Sequence, residues 1–297
     1  MVVGIICIVL ASIAFGIGPV FAKELIILGY DTIDILLYPK ISTLLVIGII
    51  LLLRRNSLKL TKPQLWQMLL FCGACNGITA LLLIESYAFI PIGLATMFHF
   101  IYPVIVTIIM VALFKERLTV FKVLSIICAV AGLCLILDLS GNMSLLGVIL
   151  ALGSGVAYAI YVIANKKSAY KDLPVLVVVF YSSLINFLAL AIVQLSRERF
   201  MIPSTGIEWG LITASGLMSG LFAFFVMING IRRIGASNAA IVNMLEPITA
   251  LVAGAIIYGD RIKIIAFIGC ILVLLAIVLL AMRNDQEAKK SSYSGPP

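Results

Sequence analysis

Residues 246–261 read Glu-Pro-Ile-Thr-Ala-Leu-Val-Ala-Gly-Ala-Ile-Ile-Tyr-Gly-Asp-Arg, and residues 102–117 read Tyr-Pro-Val-Ile-Val-Thr-Ile-Ile-Met-Val-Ala-Leu-Phe-Lys-Glu-Arg. Slid by 144 positions, Pro103 falls on Pro247, Glu116 on Asp260 and Arg117 on Arg261. Isolated apolar coincidences mean little in a chain this hydrophobic, but a proline and an acidic–Arg pair at one spacing are harder to obtain by chance. At an offset of 143, Gly4 also meets Gly147, Phe15 meets Tyr158, Lys23 meets Lys166 and Tyr38 meets Tyr181. Self-similarity at about half the chain length reads as one structural unit used twice.

The material between these landmarks is membrane-like. Of 297 residues, 63% are hydrophobic and 11% charged, against roughly 45–50% and about 25% in soluble domains. Such a chain lacks the polar surface to cover a water-soluble globule. Runs of about 20 apolar residues suit helical spans. Ten are expected, at approximately 3–28, 33–53, 64–89, 92–114, 118–138, 144–164, 174–195, 207–230, 236–258 and 262–282. They lack the alternation of barrel strands and are too long for them. The first run has no basic leader and is followed by further spans, so it is expected to be retained rather than cleaved as a signal peptide.

The fold class is therefore all-α, polytopic, with five spans in residues 1–138 and five in 144–282, followed by a polar tail at 283–297 expected to be disordered. An odd number of spans per unit makes the second copy enter from the opposite face, an inverted repeat. With the N-terminus inside, fifteen Lys and Arg fall on cytoplasmic segments and four (Arg197, Arg199, Arg261, Lys263) on the other side. That bias places both termini in the cytoplasm and the chain in the cytoplasmic membrane. The net charge of +8 is thus an orientation signal, and no nucleic-acid partner is expected. The six cysteines lie in apolar runs, where they pack as small hydrophobes. Cys72-Gly-Ala-Cys75 would need thiolate character that hydrocarbon surroundings suppress.

The ten spans, the five-plus-five repeat, and the blocks from Pro103 to Lys115-Glu116-Arg117 and from Glu246-Pro247 to Gly259-Asp260-Arg261 resemble the drug/metabolite transporter superfamily, in particular its EamA-type members. The resemblance covers essentially residues 1–282. It implies a helical bundle around a central cavity lined mainly by spans 1, 3, 4, 6, 8 and 9, working by alternating access. Members often carry Arg in span 2, where this chain has Tyr38-Pro39-Lys40.

Candidate transport residues follow from what is costly in a bilayer. A carboxylate in mid-span needs a partner or a wet cavity, which makes Glu246 the sharpest single residue, able to bind and release a proton or to attract a cationic group. Asn243, three residues earlier, shares its helix face. Pro103 and Pro247 each remove a backbone hydrogen bond at membrane depth and free the carbonyls of His99 and Asn243. His99, the sole histidine, joins Glu246 as a proton-coupling candidate, and it shares a face with Tyr102, the repeat equivalent of Glu246. Tyr158 and Tyr161, three apart, suit an organic or cationic substrate. Gly18 and Pro19 interrupt span 1 near its midpoint, and Asn76 adds a polar group in span 3. Glu85 and Lys40, at comparable depth in spans 3 and 2, are expected to form a gate ion pair. Each has a plainer alternative in helix packing, a kink or snorkelling.

A secondary transporter for a small polar, amino-acid-like or cationic metabolite, possible proton coupling included, is the leading functional reading. There is no P-loop for direct use of ATP, no cofactor is expected, and one histidine without clustered carboxylates argues against a metal site. An intramembrane enzyme would need a nucleophile and base that the sequence does not offer. An uncoupled facilitator, channel or lipid scramblase is the alternative. A monomer is expected, with a dimer as the other option.

Overall fold

A computed structural model describes residues 2–55, 57–90, 92–136, 144–197, 201–259 and 263–293, with the side chains of 92–93 and 281–293 excepted. Each apolar run closes its own backbone hydrogen bonds as a helix, since hydrocarbon offers no others. Span 1 is α1 (Val2–Ile27) and span 2 is α2 (Thr32–Leu53). Span 3 is α3 (Lys62–Gln67), a π-helical stretch Met68–Cys75 and α4 (Asn76–Ser86). Span 4 is α5 (Ile92–His99) and α6 (Tyr102–Phe114), and span 5 is α7 (Val120–Ile136). In the second half come α8 (Leu145–Lys167) and α9 (Val175–Leu195), then span 8 as α10 (Gly206–Ser215), a π-helical stretch Gly216–Ala223 and α11 (Phe224–Ile234). Span 9 is α12 (Ala236–Asn243) and α13 (Glu246–Tyr258), and the last is α14 (Ile264–Tyr293). Eight of these stretches are long and apolar enough to cross a bilayer, and two shorter apolar helices, Val120–Ile136 and Ile264–Leu280, complete the set. The protein is an all-α multi-pass membrane protein. The tail expected to lack structure from residue 283 continues α14 as far as Tyr293, in keeping with the helix-favouring run Gln286-Glu287-Ala288-Lys289-Lys290; residues 294–297 lie outside the described residues.

Packing interleaves the halves. α1 packs chiefly on α11 and α13, while α8 packs on α4, α5 and α6. α2 lies along α9, and α7 along α14. The last pair approaches backbone to backbone: a Cβ at Gly132 would stand 2.6 Å from the Gly269 carbonyl oxygen, and one at Gly269 2.5 Å from that of Gly132. Only glycine permits so close a crossing.

The halves also share their irregularities. A π turn displaces a carbonyl from the regular ladder. The Cys72 carbonyl accepts from Asn186 Nδ2 of α9 at 2.8 Å, and the Gly216 carbonyl accepts from Thr43 Oγ1 of α2 at 2.7 Å. Thr43 and Asn186 are 143 residues apart, and Cys72 and Gly216 are 144 apart. α6 and α13 both end on a left-handed residue, Lys115 at φ 55° and Gly259 at φ 71°. Glycine adopts that conformation at no steric cost, and lysine bears it.

Both ends of the bundle are tied. At one end Arg197 Nη1 pairs with Asp31 Oδ2 at 2.6 Å, and Tyr30 donates to Glu208 Oε2 at 2.8 Å. At the opposite end Lys122 Nζ meets Glu116 Oε1 at 2.5 Å, and Ser237 Oγ donates to Glu116 Oε2 at 2.8 Å. Asp260 and Arg261, the echo of Glu116-Arg117, lie outside the described residues.

Candidate functional site

Spans 4 and 9 are each cut in two at their prolines. α5 stops at His99 and α6 starts at Tyr102 with Pro103 in its first turn; α12 stops at Asn243 and α13 starts at Glu246 with Pro247 in its first turn. A proline there forfeits nothing further, because first-turn N–H groups have no helical partner. The intervening residues close tight three-residue turns, Ile101 N to Phe98 O and Leu245 N to Val242 O.

Each break is backed by a glycine from the central helix of the other half. A Cβ on Gly155 of α8 would lie 2.7 Å from the His99 carbonyl oxygen, and one on Gly16 of α1 would lie 2.8 Å from that of Glu246. A serine accompanies each glycine. Ser154 Oγ is 2.9 Å from His99 Nδ1, and Ser12 Oγ is 3.0 Å from Asn243 Oδ1.

Asn243 is the hub of the second break. Its Nδ2 donates to Tyr102 Oη at 3.0 Å and to Glu246 Oε2 at 3.1 Å, while Oδ1 accepts from Ser12. Both amide hydrogens are therefore engaged, and the single Ser12 hydroxyl hydrogen serves either Oδ1 or the Ile8 carbonyl at 2.9 Å. One side chain holds together α1, α6, α12 and α13, which come from both halves. Glu246 is half-buried and forms no ion pair among the described residues. Thr249, one turn on, donates to the Ser12 carbonyl at 3.0 Å or to that of Glu246 at 2.7 Å, fastening α13 to α1.

Rings fill the space beside this hub. Tyr102 and Tyr158 meet edge to face at 4.8 Å, and His99 lies 5.6 Å from Tyr102 and 5.4 Å from Tyr158. The column runs on through Tyr161, 5.9 Å from Tyr158, to Phe224 at 6.2 Å. Tyr158 Oη also donates to Met227 Sδ at 3.3 Å. What is left between Tyr102, Tyr158, Met227 and Asn243 is a void of about 10 Å³, the room of a single water.

The structure thus brings together Glu246, Asn243, Tyr102, His99, Tyr158, Pro103 and Pro247, with Tyr161 one ring further on. It does not bring Glu85 to Lys40. Glu85 is exposed near the end of α4, whereas Lys40 turns toward α9 and α11, and no ion pair joins them among the described residues. Pro19 does not break span 1: α1 is one helix from Val2 to Ile27, with Pro19 exposed on its outside. There the ring meets no packed neighbour and the lost hydrogen bond is absorbed. Gly18 sits against Ser219 of the second π stretch, 3.0 Å from where its Cβ would be, away from the hub. Asn76 lines a second void with Lys40. Among the described residues no cluster of three His, Cys, Asp or Glu could hold a metal. Ser12, Ser154 and Met227 are contacts the sequence did not single out, since serine and methionine in an apolar run read as packing.

A half-buried carboxylate and an aromatic column thus lie between the interleaved halves of a multi-pass membrane bundle. The EamA-like transporter family matches residues 2–138 and again 145–282, and the chain belongs to that family. It is 29% identical over 235 residues to the uncharacterized transporter sll1319 of a Synechocystis species, covering 76% of this chain and 70% of that one. It is 26% identical to the threonine/homoserine exporter RhtA of Escherichia coli K12, over 75% of this chain and 72% of that one. The uncharacterized transporter YvbV of Bacillus subtilis is 26% identical over 88% and 86% of the two chains. In fold, a solved crystal structure superposes with a TM-score of 0.81 over 95% of this chain and 98% of that one, at 16% identity.

Proposed function

We propose that the protein is a secondary transporter carrying a small polar, amino-acid-like metabolite across the cytoplasmic membrane by alternating access, with both termini in the cytoplasm and a proton on Glu246 as the coupling ion. The observation that carries this reading is the Asn243 hub. It ties the one mid-span carboxylate of the cluster to helices of both halves, so a change in the state of Glu246 is felt across the seam between them. The void beside it holds about one water, so a metabolite enters only when one tied end opens, which is the behaviour of a carrier and not of an open pore. The paired breaks, π turns and caps support two five-helix units of inverted orientation, 1–138 and 144–282, as the moving parts. The similarity to a threonine/homoserine exporter makes hydroxylated amino acids the first probes to try.

The test is uptake of labelled L-threonine and a panel of amino acids and amines into liposomes holding the purified protein, with and without a pH gradient. Wild type is expected to show saturable uptake that the gradient accelerates. Glu246→Gln, close to isosteric and still able to accept from Asn243, is expected to fold and to lose the gradient's effect. Gradient-driven uptake by the folded variant would overturn the coupling role, and fluxes that do not saturate would overturn the carrier.

A further inference from the structure

Lys40 lies eight residues into α2, about 12 Å along its axis at 1.5 Å per residue. An ammonium at that depth is costly unless it reaches water or finds a counter-charge. Lys40 makes neither an ion pair nor a hydrogen bond among the described residues. Its Nζ lies 5.9 Å from the centroid of the Phe224 ring. Instead of snorkelling outward, it lines a void of about 10 Å³ with Asn76, Tyr161, Ser182, Ser183 and Phe224.

The one formal charge in that lining is positive. The Asn76 amide and the Ser183 hydroxyl also make no hydrogen bond among the described residues. No Asp or Glu lines the void. An ammonium, with an amide and a hydroxyl that can each donate beside it, faces one space and suits an anion. The seat is firmly built: Thr43, less than one turn beyond Lys40, lies 2.7 Å from the Gly216 carbonyl and 3.1 Å from that of Pro39. That fixes α2 against the second π stretch. The Tyr161 and Phe224 rings flank the space.

We propose that this void receives the carboxylate of the transported solute, with Lys40 supplying the charge and Asn76 and Ser183 the flanking hydrogen bonds. The inference rests on the transport reading above and narrows it to solutes that carry a carboxylate. It also separates two tasks. The void at Lys40 and the void beside Asn243 share no lining residue, and the ring column stands between them. Once the opening of one end enlarges the space, a small amino acid seated at Lys40 leaves Glu246 free to exchange its proton.

The experiment measures the thermal stability of the purified full-length protein against three probes: L-threonine, L-threoninol, in which the carboxylate is reduced to an alcohol, and 3-hydroxybutyrate, which keeps the carboxylate and lacks the amine. Wild type, Lys40→Gln and Lys40→Arg are compared. Threonine and 3-hydroxybutyrate are expected to raise the unfolding temperature of wild type and threoninol to leave it unmoved. In Lys40→Gln the concentration for a half-maximal shift should rise at least tenfold, with Lys40→Arg recovering most of it. Without ligand Lys40→Gln should unfold no lower than wild type, since it removes an uncompensated charge. The proposal is overturned if threoninol stabilises as well as threonine, if Lys40→Gln responds like wild type, or if neither carboxylate stabilises wild type. Saturable uptake in liposomes is scored separately: its absence breaks the transport reading, while the carboxylate shift still decides for or against this seat.

Discussion

The break between α5 and α6 and the break between α12 and α13 share their construction. Each has a proline in the first turn after it, a backing glycine on the central helix of the other half, and a serine beside that glycine bonded to the last residue before it. Their chemistry differs. The first break is flanked by His99 and Tyr102, both buried and stacked with Tyr158. The second is flanked by Asn243 and Glu246, and there the carboxylate is half-buried and lacks a cation among the described residues. A proline, a glycine and a serine are enough to make a break at membrane depth, which leaves the two flanking side chains free to differ. One break carries buried aromatic side chains and the other a half-buried carboxylate.

The shared construction is the part most easily destroyed. Valine at Gly16 or Gly155 would drive its Cβ to 2.8 Å or 2.7 Å from a backbone carbonyl, and backbone yields less readily than a side chain end. Overpacking of this kind costs about 1–3 kcal/mol or more. Gly16→Val and Gly155→Val should each lower the unfolding temperature in detergent by several degrees. The larger drop is expected for Gly16→Val, whose Cβ also runs into Thr249. If either variant keeps wild-type stability, the two breaks are not built alike.

The chemical difference should appear next, as a loss of coupling at one break only. Glu246→Gln is expected to abolish acceleration by a pH gradient. His99→Gln should keep it and slow uptake by a few fold, because His99 Nδ1 is committed to Ser154 and its ring is enclosed by Phe100, Tyr102 and Tyr158. Loss of gradient dependence in His99→Gln would place proton binding at both breaks and erase the contrast.

Much of this was legible in the sequence, for identifiable reasons. Runs of about 20 apolar residues are a one-dimensional signal, and so are prolines and carboxylates within them. Asn243 and Glu246 are three apart in one apolar run, close enough in sequence to meet even across the break between α12 and α13. The π stretches left no such trace, because an extra residue in a turn changes neither composition nor length noticeably. They show only through their partners, Asn186 and Thr43, which are far away in sequence. That Glu85 and Lys40 are not paired among the described residues has a related reason: which way a side chain turns about its helix axis is decided by neighbours. In Lys40's case the neighbours are the void and Phe224.

The smallest predicted effect is the most discriminating. Ser12→Ala and Ser154→Ala each remove one hydrogen bond between a central helix and a break, worth on average about 0.6 kcal/mol inside a membrane protein. Their effects on stability should be small and alike. Their effects on coupling should not be. Ser12 holds Oδ1 of Asn243, and so fixes the orientation in which Nδ2 faces Glu246. Without it the amide is free to turn, and the hydrogen bond that favours the ionised carboxylate weakens. Ser154 holds His99, which has no hydrogen bond to a carboxylate among the described residues. The pH midpoint of threonine uptake should therefore move in Ser12→Ala and stay put in Ser154→Ala. Equal shifts in both variants, or a shift in Ser154→Ala alone, would mean that the proton is not read through Asn243.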